Sequence, residues 1–392
     1  MDGRDILASE DTSDRAAPLC HAETGIDTPD PLSDIASGLG SGPFALIVLF
    51  ISPDAPFDRL AAEATRYWPD TPVAACTTAG ELGASGYADG QIIATGFPAE
   101  IFSTACIAIR DLTRLDESAL IDRVIAEQVT LAQASPDMER SFAFLMVDGL
   151  STREDALVAA LSPALAATPL FGGSAGDGTA FGRTRIALDG AAFSDGAALC
   201  LIRTSCDLEV FSIDHLRPTD QRMVVTEADP VRRLVKTINA EPAAREYARI
   251  TGLDPDDLGP FAFAAHPVVV RIGGSHHVRA IQRVTDDGEL IFFSAIDEGM
   301  VLSVAEPDDI ATHLDRALRR LSQPGQPASI LACDCLLRRM EAEQRQSKRD
   351  ISRLLARHGV RGFSTYGEQI GPLHINHTMT GVALYPPPKG GT

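Results

Sequence analysis

The chain has 392 residues, with 54 acidic against 34 basic side chains, a formal net charge of -20 and 45% hydrophobic residues. That apolar content supplies a real core, and the length suits two domains or one large one. The acidic balance argues against nucleic acid and against an anionic membrane surface, since both need clustered Lys and Arg. No stretch approaches the apolar length of a membrane span.

Residues 1–40 lack periodicity and are rich in Asp, Ser, Ala, Gly and Pro, which predicts a mobile N-terminal tail. The first residues carry no apolar leader segment, and the seven scattered cysteines read as reduced thiols of a cytoplasmic protein. The continuous apolar run at 44–51 predicts a strand buried on both faces. Helical spacing over 56–68 and a second buried run at 71–78 complete a strand–helix–strand unit with parallel strands.

Two antiparallel strands are expected at 92–97 and 101–109, then a helix over 116–134 and a strand at 142–147. Ser151-Thr152-Arg153-Glu154 fits the capping box that opens a helix, here 156–167. Strands at 185–188, 197–202 and 208–213 follow. Helices are predicted over 229–240, 242–251 and 306–321, separated by antiparallel strands at 268–272, 278–284 and 290–293. A strand at 329–333 leads into a long charged helix over 336–358, read as an exposed face able to dock a partner. The chain closes with strands at 363–366 and 378–385 around a polar loop.

These elements predict a mixed α/β (α+β) fold of two domains, each a mixed sheet with packed helices, at 41–214 and 215–386, with a tail at 387–392. One echo stands out: CTTAGE at 76–81 and FSTYGE at 363–368, each a strand end followed by Gly-Glu. Two such ends could face one cleft, with chance similarity as the alternative. The glycine-rich loops CTTAGELGASG and FGGSAGDG lack the lysine and spacing of a phosphate-binding loop, and read as tight turns beside that cleft. Its candidate lining residues are Cys76, Thr77, Thr78, Gly80, Glu81, Gly172, Gly173 and Ser174.

The polar loop carries Glu368, Gln369, His374, Asn376 and His377 after Tyr366. Cys333-Asp334-Cys335 has no second Cys or His pair beside it to complete a zinc set, and no C-x-x-C-H for covalent haem attachment is present. Ser174 follows Gly-Gly without G-x-S-x-G, so a hydrolase is a weak alternative and no enzyme is expected.

CTTAGELG, FGGSAGDG and FSTYGEQ…NHTMTGVAL together resemble the FIST family, with its FIST N and FIST C domains. CDCLLRR at 333–339 and the closing motifs look most like a bacterial branch that includes haem-binding nitric-oxide sensors. The resemblance spans roughly residues 40–386. It implies a non-enzymatic cytoplasmic sensor holding haem b and reporting nitric oxide to a histidine kinase or a cyclic-di-GMP enzyme (diguanylate cyclase or phosphodiesterase). A homodimer is one assembly open to it. Where that branch is expected to read HVNQT, this chain has His374-Ile375-Asn376-His377-Thr378. His374 falls on the family's histidine and is the expected axial iron ligand. His377 replaces a glutamine and is its rival. Tyr366, Glu368 and Asn376 complete the implied cofactor set. The other reading is a FIST module that binds an amino-acid-like metabolite without haem. No kinase, GGDEF or helix-turn-helix pattern is found, so the signal is expected to leave through a separate protein.

Overall fold

A computed structural model describes residues 17–386 apart from Gly273 and Pro324. The expected tail at 387–392 and residues 1–16 lie outside the described residues. Strand outweighs helix, 41% to 28%, and the fold is the expected mixed α/β class with a two-domain architecture.

Three stretches of chain repeat one order of elements. The first unit is β1 (Cys20–Gly25), α1 (Pro31–Leu39), β2 (Phe44–Ile51), α2 (Phe57–Tyr67), β3 (Val73–Thr77), the hairpin β4 (Glu81–Gly83) and β5 (Gly86–Ala88), and β6 (Gln91–Pro98). The second is β7 (Phe102–Arg110), α3 (Glu117–Ala134), β8 (Arg140–Asp148), α4 (Glu154–Leu165), β9 (Leu170–Ala175), the hairpin β10 (Ile186–Leu188) and β11 (Ala191–Phe193), and β12 (Gly196–Thr204). The third opens with β13 (Asp207–Ile213). A module of eight strands, β14 (Leu216–Asp229) to β21 (Val301–Pro307), with two helices, is then inserted. The unit resumes with α7 (Ile310–Leu321), β22 (Ser329–Cys335), α8 (Leu336–Gln344), α9 (Lys348–Arg357), β23 (Val360–Thr365), the hairpin β24 (Glu368–Ile370) and β25 (Leu373–Ile375), and β26 (Met379–Tyr385). Inside the insertion, β15 is Leu234–Ile238, α5 is Ala243–Thr251, α6 is Pro260–Ala265, and β20 is Leu290–Phe292.

The hairpins are exchanged in a ring. Each unit builds four strands of a sheet in the same order, with one parallel pair joined through helix, as in β2–β3, β8–β9 and β22–β23. Hairpin β4–β5 of the first unit pairs onto β23 of the third, β24–β25 of the third onto β9 of the second, and β10–β11 of the second onto β3 of the first. Three six-stranded sheets result.

Side-chain alternation assigns the core. In β2, Leu46, Val48 and Phe50 face inward, while Ile47, Leu49 and Ile51 meet α1 and α2. In β8, Phe142, Phe144 and Met146 face inward, while Ala143, Leu145 and Val147 meet α3 and α4. Leu331 and Cys333 of β22 join the inner set, and Phe50 stacks on Phe363 at 4.6 Å. The three sheets therefore enclose one shared core, with helices outside. The insertion has its own core around Tyr247, Phe263 and Phe292.

Four expectations are corrected. Residues 20–39 are not tail: Asp30 caps α1 through Ser33, and Leu32, Ile35 and Leu39 bury one face of a helix too short for its pattern to rise above the polar composition. The predicted helix at 229–240 contains β15, because Leu234 and Val235 pair in register with Asp229 and Ala228 of β14. The long helix at 336–358 breaks between α8 and α9, and Arg338, Arg339 and Glu341 are buried rather than displayed. The loop before the last strand is the hairpin β24–β25, turned at Gly371 and Pro372.

Candidate functional site

The strand ends of the three units converge. Ala79 N donates to Ser364 O (2.9 Å) and Ser364 N to Gly80 O (2.8 Å). Tyr366 N donates to Ser174 O (3.1 Å) and Ser174 N to Gly367 O (2.8 Å). Gly176 N donates to Thr77 O (3.2 Å). Thr77, Ser174 and Ser364 thus hold equivalent places, and the CTTAGE/FSTYGE echo belongs to equivalent ends of the first and third units.

Sequence-singled residues gather here as buried structure. Cys76, Thr77, Thr78, Gly80, Glu81, Gly172, Gly173 and Ser174 are all buried. Of these eight, Thr77 lines a hollow of about 550 Å³ beside α2. Gly173 is required by the crowding: a Cβ there would stand 2.5 Å from Thr365 Cγ2 and 3.0 Å from Cys333 Sγ. Glu81 is hydrogen-bonded to Thr78, and Glu368 to Thr365 and Thr378. Burial raises Glu368 to about 8 and Glu81 to about 7, with the threonine bonds offsetting part of the shift.

His374 is 2% exposed. Its Nδ1 meets Gln369 Nε2 at 3.1 Å, Nε2 has no hydrogen-bond partner, and burial lowers its pKa, so the ring is neutral. Asn376 accepts the Ser294 hydroxyl at 2.6 Å. His377 lies elsewhere. Its Nε2 is 2.9 Å from Glu341 Oε2, the oxygen that His215 Nε2 also approaches at 2.8 Å. Arg338 donates to His215 Nδ1 at 3.0 Å, so His215 Nε2 carries the proton and donates to Glu341. The trio has the makings of a metal set by residue type. With this tautomer it is a carboxylate clamped by hydrogen bonds, and a cation could take His215 only if Arg338 left it.

A cleft of about 420 Å³ opens between the second unit and the inserted module. One wall is the β8–α4 turn, Gly149, Leu150 and Thr152, with Thr179 and Phe181 beyond β9. The other is Arg232, Arg233, Gln282, Arg283 and Phe293 of the insertion. The position lies beyond the carboxyl ends of parallel strands, where open α/β sheets commonly receive ligands. The two sides are joined below by Phe181, which packs on Tyr366 (4.6 Å) and Phe293 (5.7 Å).

Arg233 ties the sides together as well. It is 4% exposed, sits at φ +54°, and its guanidinium binds Glu154 across the cleft and the Phe293 carbonyl. This explains why the capping box does not form: Glu154 begins α4 but is taken by Arg233, and no side chain caps the helix. Sequence reasoning missed Phe181, Arg232, Arg233, Arg283 and Phe293. They come from separate stretches without a motif, and Arg232 and Arg233 fall inside the misread helix at 229–240.

The fold defines an α/β protein of three like units with an inserted sheet module. The FIST N domain model matches residues 45–241 and the FIST C domain model residues 243–371, so the chain belongs to the FIST family. FIST domains are sensor modules of signal transduction. No curated protein matches the chain. Among the described residues no helix is long and apolar enough to cross a membrane.

Proposed function

We propose that this protein is a non-enzymatic sensor that takes a small ligand in the cleft between the three-unit core and the inserted module. The observation that carries the reading is the pairing of an open cavity with a floor built from both sides, through Phe181, Tyr366, Phe293 and the Arg233–Glu154 pair. A ligand that seats the insertion more firmly on the core shifts its position relative to Tyr366, which follows β23. That shift is the signal handed to a partner histidine kinase or cyclic-di-GMP enzyme. Catalysis has little support, because Ser174 reaches the His374 ring only through Gln369, whose amide cannot act as a base. The test is hydrogen–deuterium exchange with small molecules that raise the melting temperature. Protection at 149–153, 179–183 and 290–294 is expected. Stabilising ligands that protect only other segments would overturn the reading.

A second reading takes haem and nitric oxide through His374. The neutral ring with an unpartnered Nε2 suits an axial ligand. The space around it does not suit a porphyrin. A Cβ on Gly367 would lie 2.5 Å from His374 Cε1 and 2.7 Å from Asn376 Nδ2, the ring is buried, and Arg279 and Gln369 bond to the same residue. The donor fits and the surroundings do not, so haem would need an opened form. Haemin titration decides: a Soret band lost in His374→Ala but kept in His377→Ala supports this reading, and no band removes it.

A further inference from the structure

We infer that the cleft ligand is a small anion on a flat apolar body, such as an aromatic carboxylate or an aromatic phosphate ester. This rests on the cleft being the sensing site. In a chain with 54 acidic and 34 basic side chains, this cavity presents Arg232, Arg233 and Arg283 and no acidic side chain among its described lining residues. Arg232 and Arg283 are exposed and have no ion-pair partner among the described residues, unlike Arg338 and Arg339, which are paired with Asp334 and Asp89. Arg233 adds a buried Nε with no hydrogen-bond partner, although its terminal nitrogens are engaged. A buried guanidinium N–H left unbonded is costly, and a ligand oxygen would satisfy it. The hydroxyls of Thr152 and Thr179 add neutral donors, Thr152 from a left-handed backbone at φ +56°.

The apolar half of the specificity comes from Phe181, Phe292 and Phe293, which line the same cavity. A volume of about 420 Å³ lies in the range of small-molecule sites. It holds a one- or two-ring scaffold with an anionic group turned toward the arginines. Such a ligand neutralises charge on the insertion while packing on Phe181 of the core, so both sides are engaged only when both features are present.

The probes are 2-naphthoate, its neutral isostere 2-naphthamide, 2-naphthyl phosphate and inorganic phosphate, titrated calorimetrically into the full chain with exchange protection recorded. The expected result is binding of 2-naphthoate or 2-naphthyl phosphate at least tenfold tighter than 2-naphthamide. Whichever of the two binds tighter identifies carboxylate or phosphate as the preferred anion. Arg232→Gln/Arg283→Gln should bring the anion down to the affinity of the amide and leave the amide unchanged. Both arginines are exposed, so the fold is spared. Equal binding of naphthoate, naphthyl phosphate and naphthamide would overturn the anion class while leaving the cleft as the site. Inorganic phosphate binding as tightly as naphthyl phosphate would overturn the apolar half. If no naphthyl probe protects 149–153 and 290–294 while unrelated stabilising ligands protect other segments, the cleft reading itself fails.

Discussion

Glu81 and Glu368 are buried carboxyls at equivalent strand ends of the first and third units, each hydrogen-bonded to the threonine three residues before it, Thr78 and Thr365. Each then opens a hairpin that crosses to another unit's sheet, β4–β5 onto β23 and β24–β25 onto β9. The pair marks where the three units interlock.

Their protonation predicts the pH dependence of stability. Burial raises Glu368 from 4.5 to about 8 and Glu81 to about 7. The folded state then holds protons that the unfolded chain releases, so stability falls as pH rises from about 4.5 through about 8. Each pH unit in that window costs up to ~1.4 kcal/mol per carboxyl. Glu368→Gln stays uncharged across this window and keeps an amide oxygen to accept from Thr378. Its unfolding midpoint in urea should decline less between pH 5.5 and 8.5 than that of the native chain.

The ion pair across the cleft should be costly to break from one side. Glu154→Ala leaves the buried Arg233 guanidinium with only the more distant, part-exposed Asp155 carboxylate at 3.5 Å, a loss approaching ~3 kcal/mol by denaturant titration. Arg233→Met with Glu154→Leu should recover much of it, because no buried charge is then left unmatched and Asp155 is part-exposed to water.

Gly173 is held by convergence rather than by backbone freedom. Gly173→Ala pushes a methyl against Phe363, Thr365 and Cys333, side chains on neighbouring strands of the shared core. Overpacking there should cost ~1–3 kcal/mol, and thermal unfolding should show a lower midpoint. Gly178→Ala is an informative control for crowding, since nothing lies within 4 Å of a Cβ there, although its φ of +69° carries its own strain.

The charged helices predict opposite outcomes along one stretch. Arg338 is 1% exposed, ion-paired with Asp334 and donates to His215, so Arg338→Ala should destabilise by ~3–5 kcal/mol. Arg349 is exposed on α9 and has no ion pair among the described residues, so Arg349→Glu should change stability by less than ~0.5 kcal/mol. Any role of this surface in partner docking is therefore sought on the exposed residues 343–346 and on α9, by binding measurements with Arg345→Glu, Arg349→Glu and Arg353→Glu.

The sequence by itself determined the elements whose signal is local. FALIVLFI at 44–51 is apolar at every position and reads as a strand covered on both faces, and it feeds the core on one side and α1 and α2 on the other. The family motifs and the matching Gly-Glu strand ends were legible for the same reason, since each is a short contiguous string. The second unit's counterpart was not, because Ala175 stands where the others have threonine and the hairpin starts only at Ile186.

Tertiary structure alone decided what those strings do. A hairpin's pattern does not say which sheet edge it will meet, so the ring of exchanged hairpins and the burial of Glu81, Ser174 and Glu368 depended on contacts up to hundreds of residues apart. The charges of Arg338 and Glu341 read as solvent-facing until Asp334, His215 and His377 were seen to satisfy them. Glu154 read as a helix cap until Arg233, 79 residues later, was seen to claim it. The cleft itself is assembled from turns that share no motif. Periodicity records neighbours along the chain, whereas charge pairing and cavities record neighbours across it.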